Sequence, residues 1–80
     1  MRIDKFLKVS RILKRRTLSK EACESSKVAV NGKDVKPSYR LKVGDIVEIK
    51  FIKSSLVFEV LLLKETVKKD EVSTLYKVLN

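Results

Sequence analysis

The apolar residues of this 80-residue chain switch from helical spacing to period two at Lys27. Before that point Ile3, Phe6 and Leu7, followed by Val9, Ile12 and Leu13, recur three and four positions apart, the stripe of an amphipathic helix. After it, Val28 and Val30 alternate with Ala29, and "IVEIKF" sets Val47, Ile49 and Phe51 on one side and Ile46, Glu48 and Lys50 on the other. A helical front followed by strands of period two points to an α+β domain in which helices pack on a small antiparallel sheet.

The punctuation fits that layout. The spacing predicts a first helix over about Ile3 to Ile12, with Asp4 well placed in its first turn. Thr17 can cap a second helix, Leu18 to Ser25 or Ser26. Asn31-Gly32 is a hairpin turn signal leading to Asp34-Val35-Lys36, Pro37-Ser38 breaks the chain, and Gly44-Asp45 marks another turn. Lys53-Ser54-Ser55 reads as a loop, after which "LVFEVLLLKE" pairs back as a hairpin partner. Val72, Leu75, Tyr76 and Leu79 stand at helical spacing and predict a short C-terminal helix within Asp70 to Leu79. The expected organisation is one domain over residues 1–63 and a tail helix over 64–80, packed on that domain or extending from it.

Charge separates the possible functions. The net charge is +9, yet residues 1–20 hold eight bases against the single acid Asp4. Most charge runs are solvated helix faces. Here, though, acids are hardly interleaved, and like charges three or four apart repel. A patch of this kind favours a polyanion: RNA, DNA or an anionic membrane surface. The candidate contact residues are Arg2, Lys5, Lys8, Arg11, Lys14, Arg15, Arg16, Thr17 and Lys20. Lys14-Arg15-Arg16 falls just before a helix start, where free backbone N–H groups add to the positive potential. With three Phe and two Tyr, mostly in periodic apolar positions, gripping the shape and phosphates of folded RNA is favoured over base stacking.

Catalytic chemistry is not encoded in any usual form. The chain has no histidine, so the commonest general base and metal ligand are missing. One cysteine without histidine makes no zinc site, and neither phosphate-cradling glycine motif occurs. No catalytic residue, metal or cofactor is therefore expected. Cys23 could be a reactive thiol, but a small residue on a helix is the simpler reading. It also excludes an internal disulfide, which fits a reducing cytoplasm. The longest apolar run free of charge, Val60 to Leu63, is far shorter than a membrane span.

Four motifs stand in order: Arg2-x-Asp4-Lys5, Arg15-Arg16-Thr17, Val28-x-Val30-Asn31-Gly32, and Lys36-Pro37-Ser38 leading to Val43-Gly44-Asp45. Together, over Arg2 to about Phe51, they resemble the RNA-binding domain named after small-subunit ribosomal protein four, the S-four domain, with its alpha-L fold. Family members often carry Gly where this chain has Ser25-Ser26. The chain has no space for the catalytic domains to which S-four domains are often appended, so it resembles a stand-alone member. Two stand-alone types compare: a heat-shock ribosome-binding type with a longer basic extension, and the RqcP type of bacterial ribosome-associated quality control. The closing "LKETVKKDEVSTLYKVLN" resembles the short tail of the second.

That resemblance implies a non-enzymatic, cytoplasmic and monomeric factor on the large ribosomal subunit. Its partners would be rRNA, peptidyl-tRNA and an RqcH-type factor that adds C-terminal alanines to stalled chains. Arg2 and Arg16 would lead the RNA contacts, followed by Lys5, Arg11, Arg15, Thr17 and Lys20. Two other readings compete: a protein–protein adaptor using the Val72, Leu75, Tyr76 and Leu79 stripe, and membrane-surface binding. They differ in salt response. If about six phosphates of single-strand-like RNA are neutralised, log affinity falls with log salt at a slope near −4 in an RNA-binding titration. A flat response would point to an apolar partner.

Overall fold

A computed structural model describes residues 1–12, 27–50 and 55–80. The elements are helix α1 (Ile3–Val9), β1 (Val28–Val30), β2 (Lys33–Asp34), β3 (Ile46–Lys50), β4 (Ser55–Val60), a 3-10 helix (Lys69–Thr74) and β5 (Tyr76–Val78). The strands form one antiparallel sheet in the order β2-β1-β3-β4-β5. The expected second helix lies outside the described residues, as do Phe51, Lys53 and Ser54. Ser55, expected in a loop, begins β4.

Register follows from the period-two pattern. Val28 pairs with Ile49, Val30 with Val47, and Val47 with Phe58, so one face of the sheet is apolar across three strands. Onto it α1 lays Ile3, Phe6 and Leu7, all fully buried. Phe6 stacks on Phe58 with ring centroids 6.2 Å apart, and Tyr76 meets Phe58 edge-on at 5.4 Å. Leu41 and Leu75 close the cluster.

Two turns set the frame. Asn31 (φ 52°) and Gly32 (φ 84°) both take positive φ, the signature of the two-residue turn that matches strand twist. The Asn31 side chain does more than turn: its Oδ1 accepts from the Ile46 N–H at 3.1 Å and its Nδ2 donates to Asp45 at 3.2 Å. Asp45 in turn accepts from the Lys42 N–H at 2.9 Å, closing the turn in which Gly44 has φ 95°. The Gly44 N–H then donates to the Val60 carbonyl at 2.8 Å and the Val60 N–H to the Asp45 carbonyl at 2.9 Å, which clips this turn to the end of β4.

Two sequence expectations are corrected. The first helix stops at Val9 rather than near Ile12. Ser10 donates through Oγ to the Leu7 carbonyl (3.3 Å), and Arg11 swings to φ 60°, bonding back three residues to Lys8 (3.0 Å). A left-handed residue ends a helix whatever the apolar stripe beyond it suggests. The predicted C-terminal helix is instead a 3-10 helix followed by a strand. Leu75 is fully buried, Tyr76 half-buried and Leu79 exposed, so the four apolar residues make no single helix face. Leu61 donates to the Leu75 carbonyl and Leu79 to the Val57 carbonyl, both at 2.8 Å. The exposed edge of β4 thus outcompetes local helix propensity. Beyond β5 the Asn80 carboxamide continues the ladder, accepting from the Val57 N–H (3.1 Å) and donating to the Ser55 carbonyl (2.8 Å).

Leu75→Ala is expected to lower stability by about 2–5 kcal/mol in urea unfolding, the range for emptying a fully buried leucine site. A chain ending at Thr74 should lose its cooperative thermal transition, because a domain this small has little stability in reserve.

Candidate nucleic-acid interface

The N-terminus of α1 is capped in an unusual way. Its cap residue, Arg2, makes no side-chain cap. Instead the Ile3 N–H donates to the Tyr39 carbonyl (2.8 Å) and the Asp4 N–H to the Pro37 carbonyl (3.3 Å). The Lys5 N–H is taken by Asp4 Oδ1 at 2.8 Å, and the Phe6 N–H returns to the Arg2 carbonyl at 3.0 Å. Every donor of the first turn is therefore satisfied, three of the four without an intrahelical backbone carbonyl. Pro37 makes this possible. It starts the Lys36–Tyr39 turn, closed by the Tyr39 N–H to the Lys36 carbonyl at 3.0 Å, and so aims two carbonyls at the helix.

The same docking sets the charges. Asp4 is almost wholly buried, and its second oxygen, Oδ2, receives Arg2 Nη2 at 3.1 Å. A buried carboxylate needs partners for both oxygens, and here it has them. The Arg2 side chain remains 45% exposed, and Asp4 engages its guanidinium through Nη2 alone. Antiparallel to Arg2 runs Arg40, in an isolated bridge. Sequence reading missed Arg40. Nothing local marks it, because only the non-local bridge brings it to the basic N-terminus.

Lys5, Lys8 and Arg11 line one shallow groove, whose other wall is Glu65, Thr66 and Val67. Lys5 Nζ pairs with Glu65 at 3.3 Å, while Lys8 and Arg11 are exposed. With Glu65 itself 76% exposed, that ion pair is weak enough to be exchanged for another anion. Arg11 lies beyond the helix end, so its side chain reaches the groove from a left-handed backbone rather than from the helix face. The remaining candidates, Lys14, Arg15, Arg16, Thr17 and Lys20, and the cysteine Cys23, lie outside the described residues.

The sheet face away from α1 is different in kind. Glu59 stands directly opposite Lys77, Glu48 opposite Ala29, and Lys50 Nζ lies 4.0 Å from Asp34. The described residues of that face set Asp34, Glu48 and Glu59 against Lys50 and Lys77, so it has no positive excess to offer a polyanion. Among the described residues no group of three or more His, Cys, Asp or Glu could hold a metal ion. No described helix is long and apolar enough to cross a membrane.

Comparison with known proteins places this arrangement. A family model described as the S4 domain matches residues 1–47. A protein of Halalkalibacterium halodurans called RQC P-site tRNA stabilizing factor is 51% identical over 98% of this chain and 89% of its own length. The Bacillus subtilis protein of the same name is 43% identical over 99% of this chain and 92% of its own. Among solved structures, the trimeric structure of Vibrio cholerae Heat Shock Protein 15 superposes with a TM-score of 0.91 at 25% identity, covering 99% of this chain and 81% of that one.

Because Asp4 serves both a helix donor and Arg2, Asp4→Ala is expected to destabilise the domain by about 1–3 kcal/mol in urea unfolding. Arg2→Ala should cost less, since water can reach the oxygen it leaves.

Proposed function

The chain belongs to the S4 domain family, and from that membership we propose that it is an RNA-binding factor of bacterial ribosome-associated quality control. In this reading it binds rRNA and peptidyl-tRNA on large subunits left by the splitting of stalled ribosomes. It holds the tRNA in the peptidyl site and so supports C-terminal alanine tailing by an RqcH-type factor. The observation that carries the reading is the segregation of charge. Eight bases crowd residues 1–20, whereas the described sheet face away from α1 mixes acids with bases. Residues 1–63 supply the RNA surface, and residues 64–80 complete the sheet behind it. The factor works in the cytoplasm, as a monomer and without catalysis.

The chemistry required is modest. Arg2 and Arg16 fork onto phosphate oxygens, Lys5, Lys8, Arg11, Lys14, Arg15 and Lys20 add positive potential, and Thr17 donates to phosphate or caps the following helix. Such contacts fix position and orientation while carrying little base readout. Recognition then rests on the shape of tRNA and rRNA held in fixed geometry on the subunit.

One observation favours a second reading. The backbone match to Heat Shock Protein 15 at a TM-score of 0.91 suits a general large-subunit binder of the heat-shock type. Crosslinking with sequencing of the bound RNA separates the two: tRNA together with large-subunit rRNA is expected here, and rRNA alone would favour the heat-shock type. The protein should also co-sediment with large subunits that retain peptidyl-tRNA. Arg2→Ala or Arg16→Ala should each weaken this by about tenfold, the worth of one charge-assisted contact. Equal sedimentation of the double variant and the wild type would rule the reading out.

A further inference from the structure

Arg2 and Arg40 face each other across their antiparallel bridge. The hydrogen bonds of that bridge flank the pair, from the Ile3 N–H to Tyr39 (2.8 Å) and from the Leu41 N–H to Met1 (2.9 Å). This is the non-hydrogen-bonded kind of antiparallel pair, in which Cα atoms approach to about 4.5 Å and both side chains rise from the same face. Both residues are exposed. Like charges placed directly opposite in this way are destabilising.

The buried Asp4 uses one N–H group of Arg2, and nothing in the packing calls for arginine at position 40. The bridge is built from backbone groups alone, and both side chains lie outside the apolar core. Asp4 touches only Nη2 of Arg2, so it orients that guanidinium without occupying its whole fork. A tetrahedral anion between the two side chains would turn the repulsion into attraction, because each planar fork can donate two parallel N–H groups.

We propose that Arg2 and Arg40 form a two-arginine clamp on a single backbone phosphate of RNA, with Asp4 as the positioning residue for Arg2. This rests on the RNA-binding reading above and adds to it a residue, Arg40, that lies far from the N-terminal basic cluster in sequence. One phosphate gripped from both sides also fixes the angle at which α1 meets the RNA backbone. A single arginine would leave that angle free.

Large subunits carrying peptidyl-tRNA are the probe, in co-sedimentation across a salt series with the full chain. Arg40→Ala and Arg2→Ala should each weaken binding by about tenfold, and the double variant hardly more, since either loss opens the same clamp. Each should make the log–log salt slope shallower by about 0.7, the share of one phosphate. Arg40→Lys should recover only part of the affinity, because an ammonium cannot fork. Without subunits, Arg40→Ala and Arg40→Gln should melt at the wild-type temperature or above it at low salt, having lost a repulsion and no core contact. Wild-type binding by both Arg40→Ala and Arg40→Gln, with Arg2→Ala and Arg16→Ala still weakened, overturns the clamp and spares the RNA reading. Multiplicative losses in the double variant overturn it too, by assigning the arginines to separate phosphates. Binding of inorganic phosphate by the wild type that is lost in Arg40→Ala, with subunit binding unchanged in that variant, would give the pair to a free anion. Weak binding by the wild type itself would be the failure of the RNA reading.

Discussion

The fold turns on two carbonyl groups. Those of Pro37 and Tyr39 accept the first two N–H groups of α1, groups that a helix usually leaves to side chains or water. This fastens the helix to the chain between the Asn31-Gly32 and Gly44-Asp45 turns before any apolar contact is counted. It also sets which way the helix faces. With Ile3 and Asp4 tied down, Phe6 and Leu7 have only the apolar sheet face to meet, and Phe6 arrives on Phe58. The charges follow from the same constraint, since Asp4 is buried by the docking and Arg2 is held at its rim.

Sequence periodicity carried much of this. The switch at Lys27 separated helix from strands, and Asn31-Gly32 marked its turn because few other pairs accept two positive φ values. Legibility failed where a distant group or an unmarked backbone turn decided the outcome. Val72, Leu75, Tyr76 and Leu79 satisfy a helical template, yet the unpaired edge of β4 recruits Tyr76–Val78 as a strand. Ile12 extends the apolar stripe of α1, but the left-handed turn at Arg11 ends the helix first. The basic N-terminus was visible as composition, whereas Arg40 enters only through a bridge that no local pattern announces.

Charge is sorted by location as well as by amount. On the far face of the sheet, Glu59 faces Lys77 and Lys50 approaches Asp34, so the field there is short-ranged and largely cancelled. At the N-terminal end of α1 the bases outnumber their partners, and the one acid buried among the described residues is used to aim a base. A local excess of bases of this kind orients a protein as it approaches a polyanion.

The Asn80 carboxamide, bonded to Val57 and Ser55, has a bearing on solubility. Those two groups belong to the stretch of β4 that runs past β5, where an open ladder would otherwise be on offer. A side chain that imitates a peptide unit occupies them and leaves nothing there for a neighbouring molecule's strand to add to. That closes this one stretch of β4 against strand addition, beside the exposed Val78 and Leu79, while the outer side of β5 is the edge the sheet presents.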